Sequence, residues 1–394
     1  MKITEIKPGI HYVGVNDRTT TLFEALWSLP AGVSYNSYLV VDEKIALIDT
    51  VEEAFGSRFF HHIEQAIGNR PIDYLVVNHM EPDHSSSMLA LKQRYPNIRI
   101  VGNAKTLQMV NGFYGITADT IEIKEGETLS LGAKSLSFHM APMVHWPETM
   151  VTYCPQAKVL FSGDAFGTFG TLDGGIVDDQ LLLDGFWDEM VRYYACIVGK
   201  YGAPVQKALQ KIRGLSIEMI CSTHGPVWHT QIERVLGIYD RLSRYEGERG
   251  VVIAYGSMYG NTEQMAESIA QELAAKGVKP IVMYNLATAD HSMVLRDIFK
   301  YETLIVGSPT YNGDLFPPVE MLLREVQARN IPHRTFGYFG SFCWAGAAVR
   351  HIKTFTEALK WEAACPIEMK QGYNDTYCDC CRTLVQELVG KMKK

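Results

Sequence analysis

The string His79-Met80-Glu81-Pro82-Asp83-His84 places two imidazoles and two carboxylates within six residues of chain. It directly follows the apolar run YLVVN, so these side chains crowd a loop at the end of a buried strand. Three further apolar runs end on residues of the same kind: His145 in APMVHWPETM, Asp164 in VLFSGDAF and His224 in EMICSTHG. Imidazole alone suits zinc, copper, nickel or iron, but this set is about half carboxylate, which favours the harder, redox-active iron. Seven donors exceed the needs of one tetrahedral site, and a carboxylate such as Asp164 can bridge two ions roughly 3.5–4 Å apart. The expected centre is therefore binuclear. A histidine alone at a strand end is usually an ordinary loop residue, and His11, His61, His62, His139, His229, His291, His333 and His351, which lie in no such cluster, are read that way.

A second chemistry-bearing string, Tyr255-Gly256-Ser257-Met258-Tyr259-Gly260-Asn261-Thr262, leaves the strand VVIAY and opens the helical pattern TEQMAESIAQELAAKG. Hydroxyls, an amide and backbone N–H groups at a helix N-terminus form a phosphate cradle without needing Lys or Arg. Two later loops, SPTYNGDLFP and SFCWAG, also follow apolar strand runs and carry aromatic residues. Cys378-Asp379-Cys380-Cys381 lacks the two separated CxxC knuckles of a rubredoxin or zinc ribbon and reads as surface thiols near a helix start.

The elements that must position these residues fall into two patterns. From Ile10 to about Ile123, short β-rich runs alternate with helical ones, and hairpin-like strands follow from Thr128. Residues 185–214 and 229–245 read as helices, and the polar run YEGERG then precedes a new strand, which sets a domain boundary near Glu248. Beyond it, strands at 251–256, 279–284, 303–307 and 335–340 alternate with helices at 262–275, 292–299, 317–328 and 346–359, with a last helix near 383–392. Strict alternation implies right-handed crossovers and a doubly wound parallel sheet whose ligand sits outside the carboxyl ends of its strands.

Composition agrees. The 394 residues, 47% of them hydrophobic, suit about two domains of roughly 100–200 residues each. The net charge of -7 and the interspersed signs offer no basic stripe for nucleic acid. The N-terminus has no signal-like apolar run, and no stretch reaches the roughly 20 apolar residues of a membrane span. A cytoplasmic protein is expected, with its eight cysteines reduced and those isolated among apolar residues (Cys154, Cys196, Cys221, Cys343) in the core.

The HxExDH loop resembles the HxHxDH loop of the metallo-β-lactamase superfamily, and Glu81 in place of the second His marks its flavodiiron branch. HWPETM and SGDAFG match as well, and the string Ser257–Thr262 resembles the flavodoxin phosphate loop, so the resemblance covers nearly the whole chain. It implies an α/β protein with a metallo-β-lactamase-like αββα di-iron domain at 1–248 and a flavodoxin-like, FMN-binding doubly wound parallel sheet at 249–394. One iron would be held by His79, Glu81 and His145, the other by Asp83, His84 and His224, with Asp164 bridging; in some members the residue matching His84 does not coordinate. Ser257, Met258, Tyr259, Gly260, Asn261 and Thr262 would hold the FMN phosphate. Ser308, Pro309, Thr310, Tyr311, Asn312 and Gly313 would line one edge of the flavin, and Ser341, Phe342, Cys343, Trp344, Ala345 and Gly346 the other.

The implied activity is reduction of O2 to water, of NO to N2O, or both, with electrons relayed through FMN. They would come from a separate donor such as rubredoxin or a reduced-cofactor-linked reductase. A head-to-tail homodimer, or a dimer of dimers, is implied too, with no nucleic-acid or membrane partner. Many family members carry a His-Gly pair before the segment matching SYNSYLV, but FEALWSLPAGVSYNSYLV has no His. The pocket hydroxyl then falls to the pair in VRYYACIV, Tyr193 or Tyr194, with Tyr194 taken as the catalytic candidate and helix-core packing as its alternative role. The rival reading is a dinuclear metallo-hydrolase fused to a flavodoxin domain, with metal-bound hydroxide as nucleophile, and Glu81 in place of His weighs against it. A non-catalytic electron-transfer module is weaker still, because structural metal sites are usually closed tetrahedra.

Overall fold

Three of the four apolar runs that precede candidate metal ligands form strands, whereas APMV before His145 is a turn. The computed structural model describes residues 4–392, and these divide into two units. One takes in the chain to Tyr194 together with Tyr201–Asp240; the other is Ala195–Lys200 and the chain from Arg241.

In the first unit a seven-stranded sheet runs in the order Thr4–Lys7, Ile10–Tyr12, Tyr38–Val41, Ile45–Ile48, Tyr74–Val76, Arg99–Gly102, Thr120–Glu122. Neighbours are antiparallel up to Ile45–Ile48 and parallel beyond it. A five-stranded sheet follows in the order Thr128–Ser130, Ser135–Met140, Met150–Cys154, Val159–Gly163, Met219–Ser222, of which only the last pair is parallel. One apolar cluster joins the sheets, drawing Tyr38, Val40, Ile48 and Val76 from the first and Phe138, Met150, Phe161 and Cys221 from the second. Met150–Cys154 and Val159–Gly163 are buried along their whole length, as strands covered on both faces must be. His79, Asp164 and His224 sit within three residues after Tyr74–Val76, Val159–Gly163 and Met219–Ser222, and His145 lies in the loop after Ser135–Met140.

The second unit is a parallel sheet in the order Ile281–Asn285, Glu248–Tyr255, Tyr301–Tyr311, Thr335–Phe342, Ile367–Lys370, with Asp314–Leu315 added antiparallel to Tyr301–Tyr311. Its core packs Val251, Ile253 and Phe339 against Met265, Ile269, Leu384 and Leu388 of two helices. The central strands approach closely: a Cβ on Gly307 would lie 2.2 Å from the Phe339 ring.

The structure departs from the expected elements at four places. The helix expected over 185–214 is broken into Asp184–Tyr193, a π-helical turn at Tyr194–Val198, and Gly202–Ile212. The strand Ile367–Lys370 was not anticipated, because IEMK is short and lies at the sheet edge. The last helix begins at Asp375 rather than near 383, since the Asn374 side chain accepts from Thr376 N and caps it there. It therefore includes the cysteine cluster, and Cys381 is not a surface thiol but is buried in the core, with Cys378 and Cys380 half-buried beside it. Conversely, Cys343 is exposed, while Cys154 and Cys221 are core residues as expected; all eight cysteines are free.

The helix Ile232–Ser243 starts later than the sequence suggested because Asp178 organises the turn before it. The Asp178 carboxylate, 1% exposed, accepts from the backbone N–H of His229 at 3.0 Å, Thr230 at 2.9 Å and Gln231 at 2.9 Å. Replacing it leaves three backbone donors of this turn without their acceptor in the protein. Asp178→Ala should cost about 2 kcal/mol of stability, and Asp178→Asn less, since an amide oxygen can still accept. The denaturant midpoint, with hydrogen exchange of the helix amides, checks this: protection unchanged in Asp178→Ala would refute the cap.

Candidate metal centre and flavin cavity

Folding brings all seven predicted ligand residues into two adjoining groups. His79, Glu81, His145 and Asp164 each offer a ligand atom within 4.8 Å of one another, and Asp83, His84 and His224 form a second group by the same measure. His79 Nδ1 donates to Glu148 at 2.7 Å, which turns Nε2 toward His145 Nε2 at 3.3 Å and Glu81 at 3.3 Å. His224 Nδ1 donates to the Ser34 carbonyl at 2.8 Å, and its Nε2 makes no hydrogen bond. Asp164 stands between the groups. Its Oδ2 lies 3.1 Å from His145 Nε2, while Oδ1 lies 2.9 Å from His84 Nε2 and 3.6 Å from His224 Nε2. Thr223 Oγ1 donates to Oδ1 at 2.6 Å and fixes the carboxylate plane.

The donor chemistry tests whether metals fit here. Both oxygens of Asp83 and both ring nitrogens of His84 are buried without a hydrogen-bond partner among the described residues. A buried polar group in that state is costly unless something outside the protein satisfies it. Burial alone would drive the His84 imidazole down, but Asp83 and Asp164 reverse that and push it up to about 9. Burial likewise opposes protonation of His145, and the hydrogen bonds it donates to Asp164 and Glu81 push it up to about 9. Burial tends to raise the Asp164 carboxyl, yet His84 and His79 hold it well below the usual range. A pocket of three carboxylates that favours positive charge so strongly, with imidazole nitrogens facing one another, suits a pair of cations held by mixed O and N donors.

In the second unit, the loops that close over the strand ends line a cavity of about 480 Å³. It takes residues from all three predicted segments, together with Gln371, which the sequence reading missed. No Lys or Arg among the described residues lines it, and the N-terminus of helix Asn261–Ala275 opens onto it. Ser257 Oγ accepts from Gly260 N at 3.2 Å, and Thr262 and Ser341 hydroxyls meet at 2.8 Å, so the cradle is held by neutral groups. Three predicted residues are not part of the lining. Gly260 supplies the turn at φ +88, Ser308 is buried with its hydroxyl accepting from Phe316 N at 3.1 Å, and Gly346 packs near Glu368. Trp344 and Tyr259 are 89% and 90% exposed.

The family description "ODP family beta lactamase" matches residues 33–225, and "Flavodoxin" matches 253–383. A nitric oxide reductase of Moorella thermoacetica is 33% identical, over 91% of this chain and 90% of that protein. Rubredoxin oxygen:oxidoreductase from Desulfovibrio gigas superposes with a TM-score of 0.94 at 29% identity, covering 99% of both chains. The flavodiiron protein from Giardia intestinalis gives 0.94 at 27% identity, over 99% of this chain and 97% of that one. The chain belongs to the flavodiiron family. Its two units are the family's β-lactamase-like and flavodoxin domains, and the family's cofactors are FMN and a di-iron centre.

Around this flavodiiron centre lie Tyr193 of the expected tyrosine pair and further residues the sequence reading did not single out. Phe23, Tyr35 and Tyr193 pack their rings on His224 at 5.4, 5.8 and 5.5 Å, and Trp146 packs on His79 at 5.2 Å. Of the tyrosine pair, it is Tyr193 that reaches the centre. Its hydroxyl is fully buried and has no hydrogen-bond partner among the described residues, and after burial the charge of Asp164 contributes most to holding it well above the usual range. Tyr194 instead packs edge-on against Tyr239 at 5.1 Å. The π-helical turn that begins at Tyr194 separates the two. Glu24, in FEALW, faces Glu81, and Glu148, inside HWPETM, holds His79.

Glu148 is fully buried at its carboxyl, accepting from His79 Nδ1 and, at 2.9 Å, from Met80 N. Carboxylate partners of this kind set the tautomer and basicity of a metal-binding imidazole. Glu148→Ala should lower metal retention against a chelator by roughly 10–100-fold, with Glu148→Gln losing less. Iron content after graded chelator dialysis measures it; retention equal to the parent in both variants would remove Glu148 from the site.

Proposed function

We propose that this flavodiiron protein reduces O2 to water, NO to N2O, or both, at its di-iron centre, with electrons arriving through FMN from a separate donor. The observation that carries the reading is Asp164, whose two oxygens each face a different donor group. In this assignment His79, Glu81 and His145 hold one iron, Asp83, His84 and His224 the other, and Asp164 bridges them. Residues 1–248 form the metal domain and 249–394 the flavin domain. When bound, the irons supply the site for O2 or NO and FMN supplies electrons one at a time.

The chain's own residues supply position and protection. The rings of Phe23, Tyr35, Tyr193 and Trp146 wall the ligands off from water, which strengthens every charge interaction inside. The Tyr193 hydroxyl, buried beside His224, is the candidate pocket hydroxyl, and Tyr194 keeps a packing role. The relatives' names span both substrates: one is a nitric oxide reductase and the other a rubredoxin oxygen:oxidoreductase. A rubredoxin or a reductase linked to a reduced cofactor is therefore a fitting donor. No helix among the described residues is long and apolar enough to cross a membrane, which accords with a cytoplasmic enzyme. The hydrolase alternative has no support of its own, since Glu81 adds a carboxylate where that class has imidazole.

The purified protein should carry about two irons and one FMN per chain. Chemically reduced protein should consume O2 or NO in anaerobic assays of each gas. Tyr193→Phe should keep both cofactors and lose at least about tenfold in turnover. Full zinc occupancy with no iron-dependent turnover would refute the assignment.

A homodimer, with each flavin serving the partner's irons, is the assembly we favour. Its support is the exposure of Trp344 and Tyr259 beside the flavin cavity, aromatic surface of the type found at interface centres. Mixing Asp164→Ala with the double variant Asn261→Ala, Trp344→Ala should restore part of the turnover once subunits exchange. Exchange verified by mass with no recovered activity would mean that transfer stays within one chain.

A further inference from the structure

A fully buried guanidinium stands one residue before Tyr193. Arg192 lies near the end of helix Asp184–Tyr193, and a cation taken out of water there is costly unless its N–H groups find acceptors. Its Nε and Nη2 donate to Glu189 Oε2 at 2.9 and 2.6 Å, within the same helix, and Nη1 donates to the Ser28 carbonyl at 2.8 Å. Its Cζ lies over the Phe169 ring, 4.4 Å from the centroid. One side chain thus ties together three segments remote in sequence: the helix, the loop after Val159–Gly163 that carries Phe169, and the two-stranded hairpin Leu22–Phe23 with Trp27–Ser28. The hairpin needs such an anchor. Strands this short do not hold themselves together in water, and at the tip Glu24 and Ala25 adopt left-handed backbone, at φ 50 and 56, which persists only where the surroundings over-determine it. The rings so tied lead to one residue of the metal centre. Phe169 meets Phe23 at 5.4 Å and Tyr193 at 5.1 Å, and Phe23 and Tyr193 pack on His224 at 5.4 and 5.5 Å.

We propose that Arg192 is a positioning residue of the metal centre, whose guanidinium clamps the hairpin and the Phe169 loop to the helix so that Phe23 and Tyr193 close on His224 together. The inference rests on the reading of His224 as a metal ligand. A guanidinium suits the task because its planar fork donates to a carboxylate and to a carbonyl along different edges while its face stacks on an aromatic ring. Lysine carries the same charge as a point donor with no face to stack, so it can hold Glu189 or Ser28 but leaves the Phe169 ring unsupported. Glu189 neutralises the buried charge, yet the contacts that reach the hairpin and the ring are made by Arg192 itself. An amide at position 189 can still accept from the fork, so the clamp does not require a carboxylate there.

The test uses the full chain, with Arg192→Met, Arg192→Lys and Glu189→Gln beside the parent. On metal-stripped protein, hydrogen exchange is followed at two hairpin amides, Leu26, bonded to the Phe23 carbonyl at 3.0 Å, and Leu29, bonded to the Thr21 carbonyl at 2.9 Å, against the amides of Val159–Gly163 in the same unit. On protein reloaded with Co(II) alone, the visible d–d absorption reports the geometry of the ligands. Arg192→Met should speed exchange of the hairpin amides by at least about tenfold, leave the strand amides within about twofold of the parent, and shift the Co(II) bands. Arg192→Lys should move both readouts in the same direction, with at least about threefold faster hairpin exchange, and it decides alone if Arg192→Met does not fold. Glu189→Gln should stay within about twofold of the parent in hairpin exchange, with its bands unmoved. The proposal is overturned if the arginine variants keep the parent's hairpin exchange, if exchange quickens equally in the strand, if the Co(II) bands do not shift, or if Glu189→Gln loses as much as Arg192→Met. Metal analysis of the parent separates this from the larger assignment: a parent without two irons refutes the di-iron reading, and hairpin exchange of the metal-stripped protein still decides whether Arg192 is the clamp.

Discussion

The first unit is organised around one fully buried carboxylate. Asp164 has no exposure, yet it presents one oxygen to each donor group and receives a hydrogen bond from Thr223. A lone buried carboxylate is among the most expensive groups a protein can hold. Its position is tolerable only because His84, His145 and His224 surround it, held by the short helix Pro82–Ser85, the loop after Ser135–Met140 and the end of Met219–Ser222 respectively. The Val159–Gly163 strand delivers Asp164, its parallel neighbour Met219–Ser222 delivers His224, and both strands are fully buried. Gly225 shows how tight the delivery is: a Cβ there would lie 2.0 Å from Thr168 Oγ1. The sheets, their shared apolar core and the turn residues therefore serve one electrostatic requirement, that carboxylates and imidazoles converge where water cannot compensate them.

The flavin cavity solves the opposite problem with different means. Among the described residues its lining holds no cationic side chain, and a helix N-terminus with the hydroxyls of Ser257, Thr262 and Ser341 gives it a neutral donor set that would suit an anionic ligand. Neutral donors bind phosphate with less attraction than Lys or Arg, but they do not fix the charge of a site whose ligand changes redox state. Thr310 shows the same economy, its hydroxyl accepting from both Ala347 N at 3.0 Å and Ala348 N at 3.2 Å and tying one flavin loop to the other.

What could be read from the sequence was local. The HxExDH loop, the SMYGNT turn and the strict strand–helix alternation after Glu248 are patterns within short windows, and the two sheets and the ligand clusters followed from them. What escaped was set by contacts between distant positions. Glu148 sits 69 residues from His79, and nothing in HWPETM says that its carboxylate, rather than His145 alone, faces the site. Tyr193 and Tyr194 are adjacent and chemically identical; only the π-helical turn, invisible to a 3.6-residue period, decides which ring meets His224. The early start of the last helix was hidden for a related reason, because its cap at Asn374 precedes a polar, cysteine-rich first turn that carries little apolar signal.

The aromatic shell and the ligand charges are mutually dependent. Rings packed on His79 and His224 lower the local dielectric, which strengthens the attraction between carboxylates and cations and also raises the cost of any carboxylate left uncompensated. A shell without the ligands would be an ordinary apolar core, and the ligands without the shell would be hydrated side chains with weak hold on a metal. The hairpin bearing Phe23 joins the two requirements in adjacent residues, since Phe23 packs on His224, and burial together with the nearby Glu81 charge raises the Glu24 carboxyl. Two neighbouring side chains of a strand ordinarily point to opposite faces. The left-handed backbone at Glu24 and Ala25 departs from that alternation, which lets one short segment contribute an apolar wall and a polar contact to the same site.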